Sequence, residues 1–372
     1  MQSFVGCSEP SRRNLFRLLE SRCFCLNPKD NNGTMTRFLS ILFAILLIAQ
    51  CSVAQKVKSS LVPFVREEKY GFFDREGNVI IKPQFEVALP FFEGLALVQV
   101  DGLWGYIDTT GQIVIEPQFN EADNFSGGYA RIKLTKSFGT LKWGFINKRG
   151  EMVVEPSYIG AGNFFEGLAW VRSLRKFLWI ITVGTRFDFI DSTGEKVIDD
   201  GFNNATSFSE RLAPVNTGRL WGYIDRSGTI KISAQFDDAS AFSEGLARVR
   251  KGVTWSYVDT EGKIVCSAGA DTSSSFSEGL TWVKRNDKFG FINRTGETVV
   301  QATFDDVGNF SEGLAVVGVA GKYGYIDKTG TMVILPQFDI AWDFHDGNGF
   351  VKLNGEYGFV RRDGRVTWCL KK

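Results

Sequence analysis

The chain has 372 residues, 14% of them aromatic and 33 of them phenylalanine, so it carries the apolar bulk of a packed core and is excluded from the disordered class. Lysine and arginine number 43 against 42 aspartates and glutamates, and setting aside residues 1–54 leaves 37 against 39, a net charge of −2. With the signs interspersed and no long basic run, nucleic acid is excluded as an expected partner.

Residues 1–34 are polar and without pattern, and they read as a non-structural upstream extension because Met35 stands where an export signal would begin. Arg37 then precedes an uncharged run of twelve residues, Phe38 to Ala49, followed by Ser52-Val53-Ala54. That order of charge, apolar core and small residues is a signal peptide, with cleavage expected after Ala54. The run is too short to span a bilayer comfortably. Residues 35–54 are therefore assigned to the signal and 55–372 to the mature repeat array, with no transmembrane span expected in it. The expected location is secreted, periplasmic or otherwise in a bacterial cell envelope. Leu47 to Cys51 loosely resembles a lipobox, but Gln50 stands where a small residue is usual, which ranks a lipid anchor at Cys51 behind ordinary cleavage. Cys7, Cys23, Cys25 and Cys51 all fall in this leader, leaving Cys266 and Cys369. No disulfide framework follows, and no cysteine and histidine cluster suited to a metal is present.

Beyond the leader, one short pattern recurs: an aromatic, then glycine, aromatic, aliphatic and Asp or Asn. It stands at Tyr70-Gly71, Trp104-Gly105, Trp143-Gly144, Trp221-Gly222, Phe289-Gly290, Tyr323-Gly324 and Tyr357-Gly358, with degraded copies at Phe187-Asp188 and Trp255-Ser256. The intervals between the glycine positions are 34, 39, 44, 34, 34, 34, 34 and 34 residues. Fixed spacing of this kind marks a structural unit used nine times.

One unit shows the expected elements. Leu95 to Val100 is a short apolar strand, Asp101-Gly102 a tight hairpin turn, and Leu103 to Asp108 the returning strand. Thr109-Thr110-Gly111 turns the chain again. Ile113-Val114-Ile115 forms a third strand, ended by Glu116-Pro117 because proline donates nothing to a ladder. An irregular crossing past Phe119 and Phe125 reaches the next unit. The series begins with Leu61 to Val65 and ends with Val366 to Leu370, so nine whole three-stranded meanders are expected. A meander this small is marginal alone, so neighbours must stack. The predicted fold is all-β, an open solenoid or superhelical array of nine units. The alternative is closure into a β-propeller, ranked second because no unit is split between the two ends and nine blades are many.

The pattern resembles the WG-repeat family, also called KWG repeats, seen here in Lys142-Trp143-Gly144. The likeness covers about residues 61–370 and includes the Asp-x-x-Gly turn, Pro83-Gln84-Phe85, Pro117-Gln118-Phe119, Pro336-Gln337-Phe338 and the Phe310 to Ala315 segment. That family consists largely of bacterial proteins without an assigned activity, so the resemblance implies the fold and leaves the function open. Trp104, Gly105, Trp143, Gly144, Trp221, Gly222, Tyr323 and Gly324 are its structural signature positions, and units four and six depart from the glycine.

Each candidate site also has a plainer reading. Asp74, Asp108, Asp191, Asp225, Asp259 and Asp327 recur at one position that two units fill with Asn147 and Asn293. Asn keeps a capping acceptor but loses the charge a hard cation needs, so turn capping is expected and not calcium. The periodic Glu93, Glu166, Glu210, Glu244, Glu278 and Glu312 are expected to accept backbone hydrogen bonds. The single histidine, His345, has no second histidine or cysteine cluster for zinc, and no phosphate-binding loop is present. No enzyme and no cofactor is expected. The insertions implied by the 39- and 44-residue intervals fall around Lys133–Leu141 and Ser173–Thr185. Insertions in repeat proteins commonly project from one face, often the binding face. The second holds Arg175, Lys176, Phe177, Leu178, Trp179 and Ile180, an apolar tip with a basic collar, which makes these the candidate binding residues. The plainer reading is a hairpin folded back over the fourth unit. Taken together, the sequence points to a non-catalytic binding or scaffolding protein for a protein or glycan partner. A carbohydrate-active enzyme with paired carboxylates, or a plain spacer, is the alternative.

Overall fold

The computed structural model describes residues 61–135, 139–177 and 181–368. The expected export signal, Cys51 and Cys369 lie outside these residues. Nine consecutive small sheets fill the described chain: residues 62–85, 87–119, 121–158, 160–202, 204–236, 238–267, 272–304, 306–338 and 340–368. No α-helix occurs among the described residues.

Each sheet is an antiparallel meander in chain order, and the expected three strands are corrected to four in all sheets but the first. The additional strand opens the sheet and is often only two residues long, as at Glu121–Ala122 and Asn204–Ala205. It was missed because two residues are too few to show an alternating pattern. Its register is nonetheless constant, a small residue pairing with a buried one ten positions later, as in Ala88↔Val98, Ala122↔Ile132 and Ala239↔Val249.

A second correction concerns the proline. The last strand of the second sheet does not stop at Glu116 but runs Ile113–Phe119 through Pro117. It does so by bulging. Trp104 pairs with Phe119 and Tyr106 with Ile115, so two residues of one strand span four of the other. The surplus backbone folds over Gly105, where an added Cβ would lie 2.6 Å from Ile115 O and Pro117 N. Gly71, Gly144, Gly222, Gly290 and Gly324 are covered the same way. The glycine after each aromatic is thus required by close approach of backbone, while proline and bulge protect an edge strand.

Neighbouring sheets share apolar cores. Leu280, Phe291, Val300 and Phe304 of the seventh pack on Phe310, Ala315, Val317 and Ile326 of the eighth. Equivalent clusters join every consecutive pair from first and second to eighth and ninth. A ninth cluster joins the ends: Phe64 and Phe73 of the first sheet bury against Phe359 of the last, flanked by Val62, Phe350 and Tyr357. Phe73 and Phe359 meet edge to face at 5.7 Å. Arg75 beside them donates to Asp346 O at 2.9 Å and pairs with the Asp346 carboxylate.

Nine sheets with nine interfaces form a closed ring. The fold is a nine-bladed β-propeller, the alternative named from sequence, and not the open array preferred there. Among the described residues no strand of the first sheet pairs with one of the last, and the ends are joined by side-chain packing and by Arg75 on Asp346. Among the described residues blade 1 has three strands, and the last strand of blade 9 is Val366–Trp368. Because all blades run in the same antiparallel order, turns between second and third strands share one face of the ring. Turns joining first to second and third to fourth strands share the opposite face.

Candidate functional site

On the face bearing the second-to-third-strand turns, the aromatic before each glycine or its substitute is half-buried, except the buried Phe187, and in five blades a cation sits directly across the ladder from it. The pairs are Lys133↔Trp143, Arg172↔Phe187, Arg250↔Trp255, Lys284↔Phe289 and Lys352↔Tyr357. The charged groups stand 5.0–5.7 Å from the ring centroids. Arg131 and Arg248 add a second cation over Trp143 and Trp255 at 4.8 and 4.3 Å. Each such contact contributes about 0.5–1 kcal/mol at an exposed position. Arg131 and Arg248 also donate to Ala161 O and Ser273 O of the following blade, so these two arginines join blades. The sequence reading missed this row, although its signal is a basic residue five to fifteen positions before the aromatic at one fixed cross-strand register.

The same face carries the second insertion. In blade 4 the second and third strands are Ala169–Phe177 and Ile181–Ile190, nine and ten residues where other blades have five to seven. Pairing continues from Ala169↔Ile190 out to Phe177↔Ile181, so the insertion is a long two-stranded arm. Arg172, Leu174 and Arg175 are exposed on it. Lys176 and Phe177 close the strand opposite Thr182 and Ile181. Leu178, Trp179 and Ile180 lie outside the described residues. The insertion of blade 3 lies on the same face, between Tyr129–Thr135 and Leu141–Asn147.

The root of the arm departs from the repeat. Asp188 replaces the glycine and its side chain is fully buried. Arg186 donates to it at 2.8–3.1 Å and Lys196 at 2.9 Å, and both cations also reach Asp199. Hydrogen bonding to Asp188 pushes Arg186 above its ordinary value. The Lys196 hydrogen bond holds Asp199 below the usual carboxylate range. A buried carboxylate is tolerable because two cations and their hydrogen bonds meet it.

The opposite face carries the periodic acids, and they are structural. Oδ1 of Asp74, Asp108, Asn147, Asp191, Asp225, Asp259, Asn293 and Asp327 accepts two N–H groups of its own turn at 2.8–3.1 Å. The glutamates accept backbone N–H groups of the next blade at 2.6–3.0 Å, as Glu93 does from Gly127 and Gly128 and Glu278 from Gly313. A basic residue in the third-to-fourth-strand turn answers in the reverse direction. Lys148 reaches Glu93, Arg294 reaches Glu244, Lys328 reaches Glu278 and Arg362 reaches Glu312. Arg75 of blade 1 reaching Asp346 of blade 9 is the same contact carried round the ring. Ser209, Ser243, Ser277 and Ser311 donate to a Phe carbonyl of the next blade at 2.7–2.9 Å.

His345 stands where these serines stand. Its Nε2 is 3.1 Å from Asp346 Oδ2, and ligating atoms of Glu312, His345 and Asp346 lie within 4.8 Å of one another. Glu312 accepts Gly347 N–H at 2.8 Å and Asp346 holds Arg75, so both carboxylates are engaged. Burial lowers the His345 pKa, with Asp346 opposing.

A family model described as WG containing repeat matches residues 70–104, 104–136, 143–175, 221–252, 255–289, 289–323 and 323–357. The blade 4 step with Asp188 falls between these matches. A search of curated proteins returned no match. Among solved structures, the extracellular domain described as that of a hybrid two-component system from B. thetaiotaomicron is 10% identical with a TM-score of 0.25, over 83% of this chain. The present chain spans 50% of that one. Kluyveromyces lactis Hsv2 is 8% identical with a TM-score of 0.35, over 70% of this chain and 90% of its own. A protein of unknown function from Bacteroides caccae is 13% identical with a TM-score of 0.24, over 49% of this chain and 88% of its own.

Proposed function

The chain belongs to the WG containing repeat family, and from that premise we propose that it is a non-catalytic binding protein, secreted or held in the bacterial cell envelope, that captures a protein or glycan partner with the arm of blade 4. The observation that carries this reading is the arm itself. Strands of nine and ten residues remain paired well past the length at which every other blade turns back. A loop kept merely to connect two strands needs two residues, as Asp101-Gly102 demonstrates. Arg172, Leu174 and Arg175 are exposed along the arm, and Trp179 lies at its tip in sequence. An aromatic and aliphatic tip with a basic collar has the composition of an interface anchor. The paired charges at Asp188 fix the root, so the arm meets its partner with less ordering cost.

The test is capture from envelope extracts by immobilised residues 55–372, compared with a chain in which residues 173–185 are replaced by a two-residue Asn-Gly turn. Loss of the captured species at an unchanged melting temperature supports the proposal, and Trp179→Ala is expected to reproduce most of that loss. Undiminished capture by the shortened chain refutes it.

A further inference from the structure

Blade 6 lacks the bulge over the glycine position and keeps only the register shift between Tyr257 and Val258. Its last strand is only Ile264–Ser267, and the pairs Ser256↔Ser267 and Tyr257↔Cys266 follow without the shift found at this place in blades 1 to 5, 7 and 8. Ser256 stands where those blades, blade 4 excepted, have the covered glycine. Beside Ser256, a groove of about 650 Å3 opens toward blade 5. Its volume lies in the ~300–1,000 Å3 range of sites that enclose ligands. Phe236 of blade 5 and Val249 of blade 6, both buried, supply apolar lining, Ile264 forms a wall, and Lys251 and Lys263 stand at the margin.

Three further observations say what fits there. The last strand of blade 6 has one neighbour, Tyr257's strand, and its other edge is open. Blades 1, 2, 3 and 8 guard that edge with Pro83, Pro117, Pro156 and Pro336, and blades 4, 5 and 7, which lack proline there, keep the bulge, whereas Ile264–Ser267 has neither proline nor that bulge. Apolar side chains are also exposed here: Val253 is 95% exposed, Ile264 60% and Val265 45%. Finally, Lys251 and Lys263 have no ion-pair partner among the described residues. The nearby acids are engaged by backbone, Asp237 accepting Gly252 N–H and Asp259 accepting Glu261 and Lys263 N–H.

We propose that blade 6 binds an extended, acidic segment of a partner protein as an added β-strand along Ile264–Ser267. Main-chain pairing with the open edge supplies the attachment, apolar side chains on one face of the strand enter the groove over Phe236 and Val249, and acids at its two ends meet Lys251 and Lys263 at the margin. This site is independent of the blade 4 arm, and either can fail without the other.

The experiment uses residues 55–372 and a fluorescent hexapeptide, Glu-Val-Glu-Ile-Asp-Val, followed by anisotropy. The acidic peptide is expected to bind about tenfold more tightly than its lysine counterpart Lys-Val-Lys-Ile-Lys-Val, and the protein carrying Lys251→Glu and Lys263→Glu to lose or reverse that preference. Methylating alternate backbone nitrogens of the peptide is expected to abolish binding, a control that leaves the protein untouched. Equal affinity for the two peptides, or binding that survives methylation, overturns the proposal. So does a concentration-dependent dimer that is lost with Lys251→Glu and Lys263→Glu, since a second copy would then occupy the edge.

Discussion

The interface between blades 7 and 8 and the one between blades 9 and 1 are built by the same rules from different amounts of material. Between blades 7 and 8, eight buried residues share one cluster, Glu278 receives Gly313 N–H, Ser277 donates to Phe310 O and Lys328 answers to Glu278. Between blades 9 and 1, three buried phenylalanines carry the apolar contact and Arg75 with Asp346 carries the polar one. His345 and Asp346 replace the serine and glutamate. The difference teaches that closing the ring required no special clasp, only the ordinary contact rule applied once more to the two ends, and that aromatic bulk compensates there for fewer partners. Fully burying one phenylalanine contributes about 1.5–3 kcal/mol.

The largest effect is expected from the apolar layer. Phe73→Ala removes a fully buried ring and is expected to cost about 3–5 kcal/mol in denaturant unfolding, with faster amide exchange confined to blades 9 and 1. Ile326→Ala is expected to cost about 2–5 kcal/mol and to loosen blades 7 and 8 instead. Identical exchange patterns would remove the distinction between the two interfaces.

The next effect concerns the glycines. A Cβ at Gly324 meets only backbone, Ile334 O and Pro336 N most closely, which cannot give way, whereas at Gly358 it meets the side chains of Trp368 at 2.8 Å and Val366 at 2.9 Å and a single backbone atom, Thr367 O, at 2.9 Å. Gly324→Ala is expected to cost about 1–3 kcal/mol. Gly358→Ala should cost measurably less by thermal unfolding.

A smaller effect follows from the basic turn residues. Lys328→Ala breaks an exposed pair and is expected to change stability by less than about 1 kcal/mol. Arg75→Ala also removes a bond to a carbonyl in a more sheltered place, and should exceed it.

The smallest is a pH effect confined to the closing interface. Burial lowers the His345 pKa below 6.5, so the unfolded chain takes up the proton first as pH falls. Stability from neutral His345 is therefore full above about pH 6.5 and declines below it. His345→Ser should erase that slope in a pH series of melting temperatures. A separate loss is expected at lower pH as the turn caps protonate, Asp225 being held down to about 2 by its Ser227 hydrogen bond and Lys231.

Much of this ring was legible in the sequence because its units repeat. Aromatic and glycine spacing marked nine sheets, and the exchange of Asp for Asn at 147 and 293 identified turn caps. The reason for each glycine was not legible, since it lies in the backbone around residues such as Pro117 that the sequence presents as a strand end. Closure was invisible for a related reason: Arg75 and Asp346 are 271 positions apart, and each looks like a member of its own turn. The length of the blade 4 arm was legible as a 44-residue interval, whereas the cations opposite Trp143 and Trp255 became evident only once strand register placed them there.

The claim that the two ends meet is tested most directly by a double-mutant cycle on Arg75→Ala and Asp346→Ala, measured by denaturant unfolding. A closed ring predicts a coupling energy of about 1 kcal/mol or more between residues so far apart in the chain. Effects that add to within about 0.5 kcal/mol, as for independent sites, would contradict closure.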